Sequence, residues 1–201
     1  MKFIRGYSWD IPLLFIHNLD DMRKLSLFIA CSLDGFIAKP NDDLSFLNLV
    51  EKQGEDYGYA DFTADIDTII IGRKTFDFVE RTIGVQHYDQ AERQVYVITS
   101  SDRPAQGNIK FYNGNVIALV KDLKAAEGKG IYCDGGAELI NELLKNELID
   151  ELIISIVPVL LGEGVRLFKG HMTEQILELH SVKSFETGLV QLRYRRKESA
   201  K

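Results

Sequence analysis

The sequence predicts an α/β fold: a central mixed, mostly parallel sheet with helices on both faces, closed by an antiparallel hairpin. Three observations predict it. Short, continuously apolar runs such as Thr68–Ile71 read as strands buried on both faces. Through the middle of the chain these runs alternate with segments of helical period, which is the pattern of parallel βαβ units. From Leu177 onward only strand-like segments remain. The turn Glu186–Gly188 joins the last two, so that pair must be antiparallel.

Taken in order, Lys24–Cys31 reads as an apolar strand, and "SLDGFIA" continues it through an Asp-Gly turn. Leu44–Gln53 has apolar residues at helical spacing after the possible caps Asn41 and Asp42. "EDYGYADFTADI" predicts a weaker second helix, and the segment after Thr75 a third. "RQVYVITSS" and "NIKFYN" are strands. "NVIALVKDLKAAEGKG" is a helix ended by Gly128, and "GIYCDGG" a strand running into two glycines. "AELINELLKNE" places Leu139, Ile140, Leu143 and Leu144 on one side of a helix. "IDELIISIVPVL" is a strand and "LGEGVRLF" a glycine-containing loop. Closing strands follow around Leu177–Phe185 and Leu189–Arg196.

The chain's 201 residues suffice for one sizeable domain. Hydrophobic content of 45% and charged content of 27% are those of an ordinary globular protein. A formal net charge of −6 works against nucleic-acid binding, and the one dense basic run, Arg193–Lys197, reads as a solvated edge or tail. The two cysteines, Cys31 and Cys133, end apolar runs and form no C-x-x-C pattern, so a reduced, cytoplasmic protein is expected. The histidines show no metal-ligand spacing, so no metal is expected. Residues 1–21 read as an N-terminal extension before a domain spanning 22–201. Their apolar core "IPLLFI" is too short for a signal-peptide core or a membrane span.

Three strand ends carry candidate chemistry. In "IIIGRKTF", Gly72 lets a ligand approach the backbone, and a helix starting there offers free N–H groups and a positive dipole end. Arg73 adds a planar fork, Lys74 a point charge and Thr75 a hydroxyl, which together suit phosphate, or Gly72 merely ends a strand and the cations are solvated. In "YCDGGAELI", Gly135 and Gly136 again stand between a strand and a helix start, although a tight turn uses Gly-Gly equally well. In "VITSSDRP", Thr99, Ser100 and Ser101 present hydroxyls with Arg103 close by, or simply make the turn before Pro104. Ligands of open α/β sheets bind at the carboxyl ends of strands, so one extended ligand with several phosphates reaches all three loops. NADPH fits this pattern, and the cations and serines favour it over NADH.

In that order, "FIACSLDGFIA", "IIIGRKTF", "VITSS", "IYCDGGAELI" and "IDELIISIVPVLLGEGVRLF" resemble the dihydrofolate reductase-like superfamily. The resemblance is closer to the C-terminal reductase domain of bacterial riboflavin-biosynthesis proteins, and it covers 22–201. It implies a three-layer fold with a central mixed sheet, NADPH as hydride donor and a homodimer. Carried over by motif, it implies that Gly72, Arg73, Lys74 and Thr75 hold the cofactor's phosphates and that Ser100 and Ser101 flank the 2′-phosphate. It implies that Gly135, Gly136, Ala137, Glu138 and Leu139 take the pyrophosphate and nicotinamide end. Cys31 and Ile37 would line the nicotinamide pocket, and Pro158, Leu161 and Gly162 would border the substrate. The substrate half matches less well. The family's Ser-Arg/Lys-Trp-Ile motif is absent from "NDDLSFLN", and Val79 stands where its second motif has an aspartate. Glu51 lies in the first helix, where dihydrofolate reductases keep an acid, but outside their local motif.

The implied chemistry is hydride transfer from NADPH to a pterin-like or aminopyrimidine-like molecule, with the protein aligning two rings and excluding water. Asp34, in "SLDGF", is the carboxylate best placed to orient the substrate or relay a proton, or it only holds an Asp-Gly turn. Glu163 is a second candidate. Tyr57, Tyr59, Phe62 and Phe46 either stack on a planar substrate or belong to the core. A nucleotide-binding protein without turnover is the alternative function.

Overall fold

A computed structural model describes residues 22–88, 93–170 and 173–197. The predicted extension 1–21 lies outside the described residues. Eight strands form one sheet in the order β5-β4-β3-β6-β1-β7-β10-β9. They are β1 (Leu25–Ser32), β3 (Ile66–Gly72), β4 (Gln94–Ile98), β5 (Ile109–Tyr112), β6 (Gly130–Gly135), β7 (Glu151–Val157), β9 (Leu177–Ser184) and β10 (Val190–Arg196). The strands from β5 to β7 are parallel, whereas β10 pairs antiparallel with both β7 and β9. The mixed sheet and its antiparallel end are those the sequence predicts.

Alternation sends each strand's side chains to two layers. On one face Leu25, Leu27, Ile70, Ile131 and Cys133 pack with helix α3 (Val116–Ala125) and helix α4 (Ala137–Lys145). The apolar stripe of α4 is buried there as predicted, through Leu139, Ile140, Leu143 and Leu144. The Asn115 side chain caps α3 by accepting from Ile117 N and Ala118 N, which satisfies two of the helix's free donors. On the other face Ile69, Ile71, Val95, Val97 and Tyr132 meet Phe76 of helix α2 (Arg73–Thr82), together with Phe62 of helix α1 (Tyr59–Ala64).

Two local expectations are corrected. The predicted helix 44–53 is a short 3-10 helix, Ser45–Val50, which buries only Phe46 and Val50. Leu44 before it offers no side-chain cap, and the turn stops where Glu51 becomes extended. The loop "LGEGVRLF" also contains a strand: β8 (Val165–Arg166) pairs antiparallel with β2 (Phe36–Ala38) in a separate two-stranded sheet. No helix among the described residues is long and apolar enough to cross a membrane. Among them no group of three or more His, Cys, Asp or Glu is arranged to hold a metal ion.

Candidate active site

The register brings the three candidate loops together. Gly72 pairs with Ile98, and Ile71 pairs with Gly135, so the carboxyl ends of β4, β3 and β6 are neighbours. Helix α2 starts directly after Gly72 and helix α4 directly after Gly136, and neither start has a side-chain cap. Both helices therefore present free N–H groups and a positive dipole end at one place. The two turns touch. A Cβ on Gly72 would lie 3.3 Å from Gly136 N, and a Cβ on Gly136 would lie 2.7 Å from Thr75 Oγ1. The peptide between Gly135 and Gly136 is cis. This is a cradle built mainly of backbone, with the Thr75 hydroxyl as the side-chain group against Gly136.

Around it the predicted residues divide into those free for a ligand and those already committed. Lys74 is exposed, with no ion-pair partner among the described residues. Arg73 is half-exposed and donates to Asp77 at 2.6 Å. Ser100 and Ser101 are exposed at the end of β4. Thr99 is buried, and its hydroxyl accepts from Ser101 N at 3.1 Å, so it builds the turn. Ala137 and Leu139 turn their side chains into the core, which leaves only their backbone amides for a ligand. Glu138 faces out and pairs with Lys169.

Cys31 is buried in the core below β1, where burial first and the nearby Asp34 charge second push its thiol up to about 11. Its side chain is therefore an inert apolar group of the core. Ile37, on β2, packs against the same core cluster.

Asp34 is held as an ionised acceptor. Ser32 Oγ donates to it at 2.5 Å, Gly162 N at 2.7 Å and Leu161 N at 3.1 Å. The Ser32 hydroxyl and then these amides hold its carboxyl at about 2. A group so acidic carries no proton to give near neutral pH. What Asp34 does is pin the β1–β2 turn to the loop with Pro158, Leu161 and Gly162. Of the three expected roles, these hydrogen bonds are those of holding the turn, and an ionised carboxylate does not fit proton relay. Glu51 is exposed beyond the 3-10 helix, and Glu163 is exposed on its loop. Tyr57 is committed to structure, its hydroxyl donating to Val50 O and hydrogen-bonded with the Thr187 hydroxyl at 3.1 Å.

The sequence reading passed over a further carboxylate, beside the Gly-Gly turn. Asp134 is the residue immediately before Gly135-Gly136. Tyr132 Oη donates to its Oδ1 at 2.5 Å, and Tyr88 Oη donates to its Oδ2. Burial raises its pKa, and the two phenols and His87 only partly offset that rise. The rings of Phe28, Tyr59 and Phe62 lie on the same side. Phe28 and Phe62 stack at 4.9 Å between centroids, and Tyr132 meets Phe62 edge-on at 5.2 Å. Tyr59 is pushed up to about 12 by burial and by Asp134. The signal was in "IYCDGG": an acidic residue near the end of an apolar, two-sided strand has no solvent to face.

At the opposite, amino ends of β1, β3 and β6 lies a cavity of about 640 Å³, with Arg23, Lys24, Asp65, Lys129, Glu151 and Arg193 in its walls. The Gly72–Gly136 cradle is not part of it.

Comparison with known proteins agrees with this fold. The family model described as the RibD C-terminal domain matches residues 23–191. The uncharacterized protein YwjB of Bacillus subtilis (strain 168) is 40% identical over 173 residues, covering 86% of this chain and 97% of that protein. Among solved structures, a Shewanella sp. PV-4 protein named for riboflavin biosynthesis superposes with a TM-score of 0.75 at 29% identity. The match covers 87% of this chain and 99% of that one. A deaminase/5-amino-6-(5-phosphoribosylamino)uracil reductase from Thermotoga maritima shares the fold, with a TM-score of 0.66 at 15% identity over 89% of this chain and 58% of that one. Dihydrofolate reductase from Enterococcus faecalis, solved with NADP(H), gives a TM-score of 0.54 at 20% identity over 87% and 97% of the two chains. The chain has the dihydrofolate reductase-like α/β fold and belongs to the RibD C-terminal domain family.

Proposed function

We propose that the protein is an NADPH-dependent reductase of a pterin-like or aminopyrimidine-like small molecule. The observation that carries the reading is the contact of two uncapped helix starts across Gly72 and Gly136, flanked by Arg73, Lys74 and Ser100. It fits a pyrophosphate in charge, in free donors and in the absence of side-chain bulk. The family relation supports a reductase of the riboflavin-pathway type. The Thermotoga maritima relative is named for reduction of a phosphoribosylamino-uracil, and the Enterococcus faecalis enzyme was solved with NADP(H). A cytoplasmic location is part of the proposal and rests on the same relation.

NADPH, when bound, supplies the hydride. The chain's own residues have the remaining tasks. The amides of 73–75 and 137–139 and the cations Arg73 and Lys74 hold the phosphates. Asp34 fixes the loop at 158–162 that borders the substrate. Asp134, whose pKa burial raises, would serve as the proton-exchanging carboxyl next to the Gly135-Gly136 turn, held by hydrogen bonds donated from Tyr88 and Tyr132.

The reading is tested by following NADPH oxidation with a panel of reducible pterins and ribosylated aminopyrimidines. Turnover with one of them is the expected result. NADPH binding without turnover on any would favour the second reading, a nucleotide-binding protein without catalysis, for which the missing substrate motifs in "NDDLSFLN" and at Val79 speak.

We also propose that two copies associate through the outer end of the sheet. Val182 pairs with Leu192 and Leu179 with Tyr194, so their side chains share one face. Val182 is 54% and Leu179 51% exposed, on an edge strand with free backbone groups. Leu179→Lys is expected to raise the dimer dissociation constant by about 100-fold, the scale of a lost interface anchor. Light scattering over a dilution series reads this. An unchanged mass for the variant would place the interface elsewhere.

A further inference from the structure

Asn141 has no part in the site described so far. It lies on α4, one turn beyond Ala137, and its side chain reaches in two directions. Its Nδ2 donates to Ala137 O at 2.7 Å and to Leu167 O at 2.8 Å, and its Oδ1 accepts from Lys169 N at 2.8 Å. Both N–H bonds of the side-chain amide are used. One side chain thus joins the first turn of α4 to the segment after β8. That segment is fastened in turn to the β1–β2 turn. Leu167 is fully buried, and its N–H donates to Gly35 O at 2.9 Å. Beside it β8 pairs with β2, and Arg166 Cζ lies 4.6 Å from the centroid of the Phe36 ring. Asp34, next to Gly35, accepts from Leu161 N and Gly162 N. A connected path therefore runs from Ala137, in the cradle, to the loop at 158–162.

We infer that Asn141 is a positioning residue that couples occupation of the Gly72–Gly136 cradle to the ordering of the loop at 158–162. The inference rests on the cofactor reading above. Its physical core is one peptide unit. The peptide between Ala137 and Glu138 carries Ala137 O, which accepts from Asn141, and the Glu138 N–H, which is free in the first turn of the helix. A phosphate accepting from that N–H fixes and polarises the peptide, and this strengthens the hydrogen bond at its carbonyl. Asn141 is steadied in turn, and with it Leu167, Lys169 and the β1–β2 turn that Leu167 holds. The ion pair of Lys169 with Glu138 spans the same gap, but both groups are exposed, so it contributes little. The consequence is an order of events: the cofactor's phosphates bind first, and the loop bordering the substrate is then held ready.

Amide hydrogen exchange of the full chain, with and without 2′-phospho-ADP-ribose, tests this. That compound keeps the cofactor's phosphates and lacks the nicotinamide ring. Saturating the wild type with it is expected to slow exchange at Leu161, Gly162 and Leu167 by about 5-fold or more, the low end of coupling between sites. Asn141→Leu keeps the branched shape without hydrogen-bonding atoms. It should bind 2′-phospho-ADP-ribose within about 5-fold of the wild type, the scale of one neutral hydrogen bond, because no phosphate contact is removed. In this variant the slowing at Leu161, Gly162 and Leu167 should vanish, while slowing at 73–75 and 137–139 persists. Lys169→Ala should keep the wild-type response. Loss of the response in Lys169→Ala would give the coupling to the surface ion pair and overturn the role of Asn141. An Asn141→Leu chain that binds and still protects Leu161, Gly162 and Leu167 would overturn it as well. So would a wild type that binds with no change at those amides, a result that needs no variant. Failure of the wild type to bind either 2′-phospho-ADP-ribose or NADPH would remove the cofactor reading itself, and the coupling with it.

Discussion

Gly136→Val is expected to abolish NADPH binding while the chain remains folded. The backbone at Gly136 has φ −81°, which any L-residue adopts, so the substitution adds no backbone strain there. Its cost is local and steric. The first added carbon would already lie 2.7 Å from Thr75 Oγ1, and valine adds two methyl groups at the junction of the two helix starts. Those methyls fill the space in which, on the proposed reading, phosphate oxygens would meet the free amides. Losing several charge-assisted hydrogen bonds together corresponds to an affinity loss of at least about 100-fold. NADPH titration checks the binding, and far-UV circular dichroism with a urea melt checks the fold. Gly136→Ala paired with Thr75→Ala, which removes the clashing hydroxyl, should recover part of the affinity. A valine variant that binds NADPH like the wild type would move the cofactor away from this junction.

Asp134→Asn is expected to lower turnover by about 10²- to 10⁴-fold, the range of a lost general acid, with NADPH affinity little changed. The amide has nearly the carboxyl's shape but cannot exchange a proton in the working range. Asp34→Asn offers the contrast. It should disturb substrate binding through the loop at 158–162 and leave the position of the pH–rate profile unmoved, because Asp34 stays ionised down to about 2. Stability supplies a readout independent of substrate. Burial raises the pKa of Asp134 in the folded chain, so above the ordinary carboxyl value the folded state keeps a proton that the unfolded state has lost. Folding stability attributable to this group is then fully present below the unfolded pKa and declines as pH rises through the folded pKa. Asp134→Asn should flatten that decline in urea unfolding followed across pH. An unaltered slope would mean that Asp134 titrates like an exposed acid.

Much of the fold was legible because periodicity reports burial directly. The runs at Thr68–Ile71 and Ile153–Val157, apolar on both faces, could only be inner strands, and the face of α4 was readable from Leu139, Ile140, Leu143 and Leu144. The 3-10 helix at Ser45–Val50 was misread as a longer helix because apolar spacing over six residues fits either form, and only capping decides its length. The pairing of β2 with β8 was hidden because neither strand is long enough to show alternation.

The three candidate loops were legible for a different reason. Glycines and cations at strand ends are costly to place without a use, and three such ends in one parallel sheet point to the same edge. What the chain pattern does not show is commitment. Thr99, Leu139 and Cys31 belong to the motifs, yet their side chains are spent on a turn or on the core. Asp34 looks like the site's acid until its four hydrogen bonds are seen. Asp134 looks like part of a turn until its two phenol donors are seen, and those come from residues 46 and two positions away.

Amide chemical-shift mapping on addition of NADPH tests the central claim most directly, since it locates the ligand without a known substrate. Binding at the cradle predicts the largest shifts at Gly72–Thr75, Ser100–Ser101 and Gly135–Leu139, with the amino-end cavity around Arg23 and Lys129 silent. Shifts concentrated at that cavity, or none at the three loops at saturating NADPH, would contradict the assignment of the site.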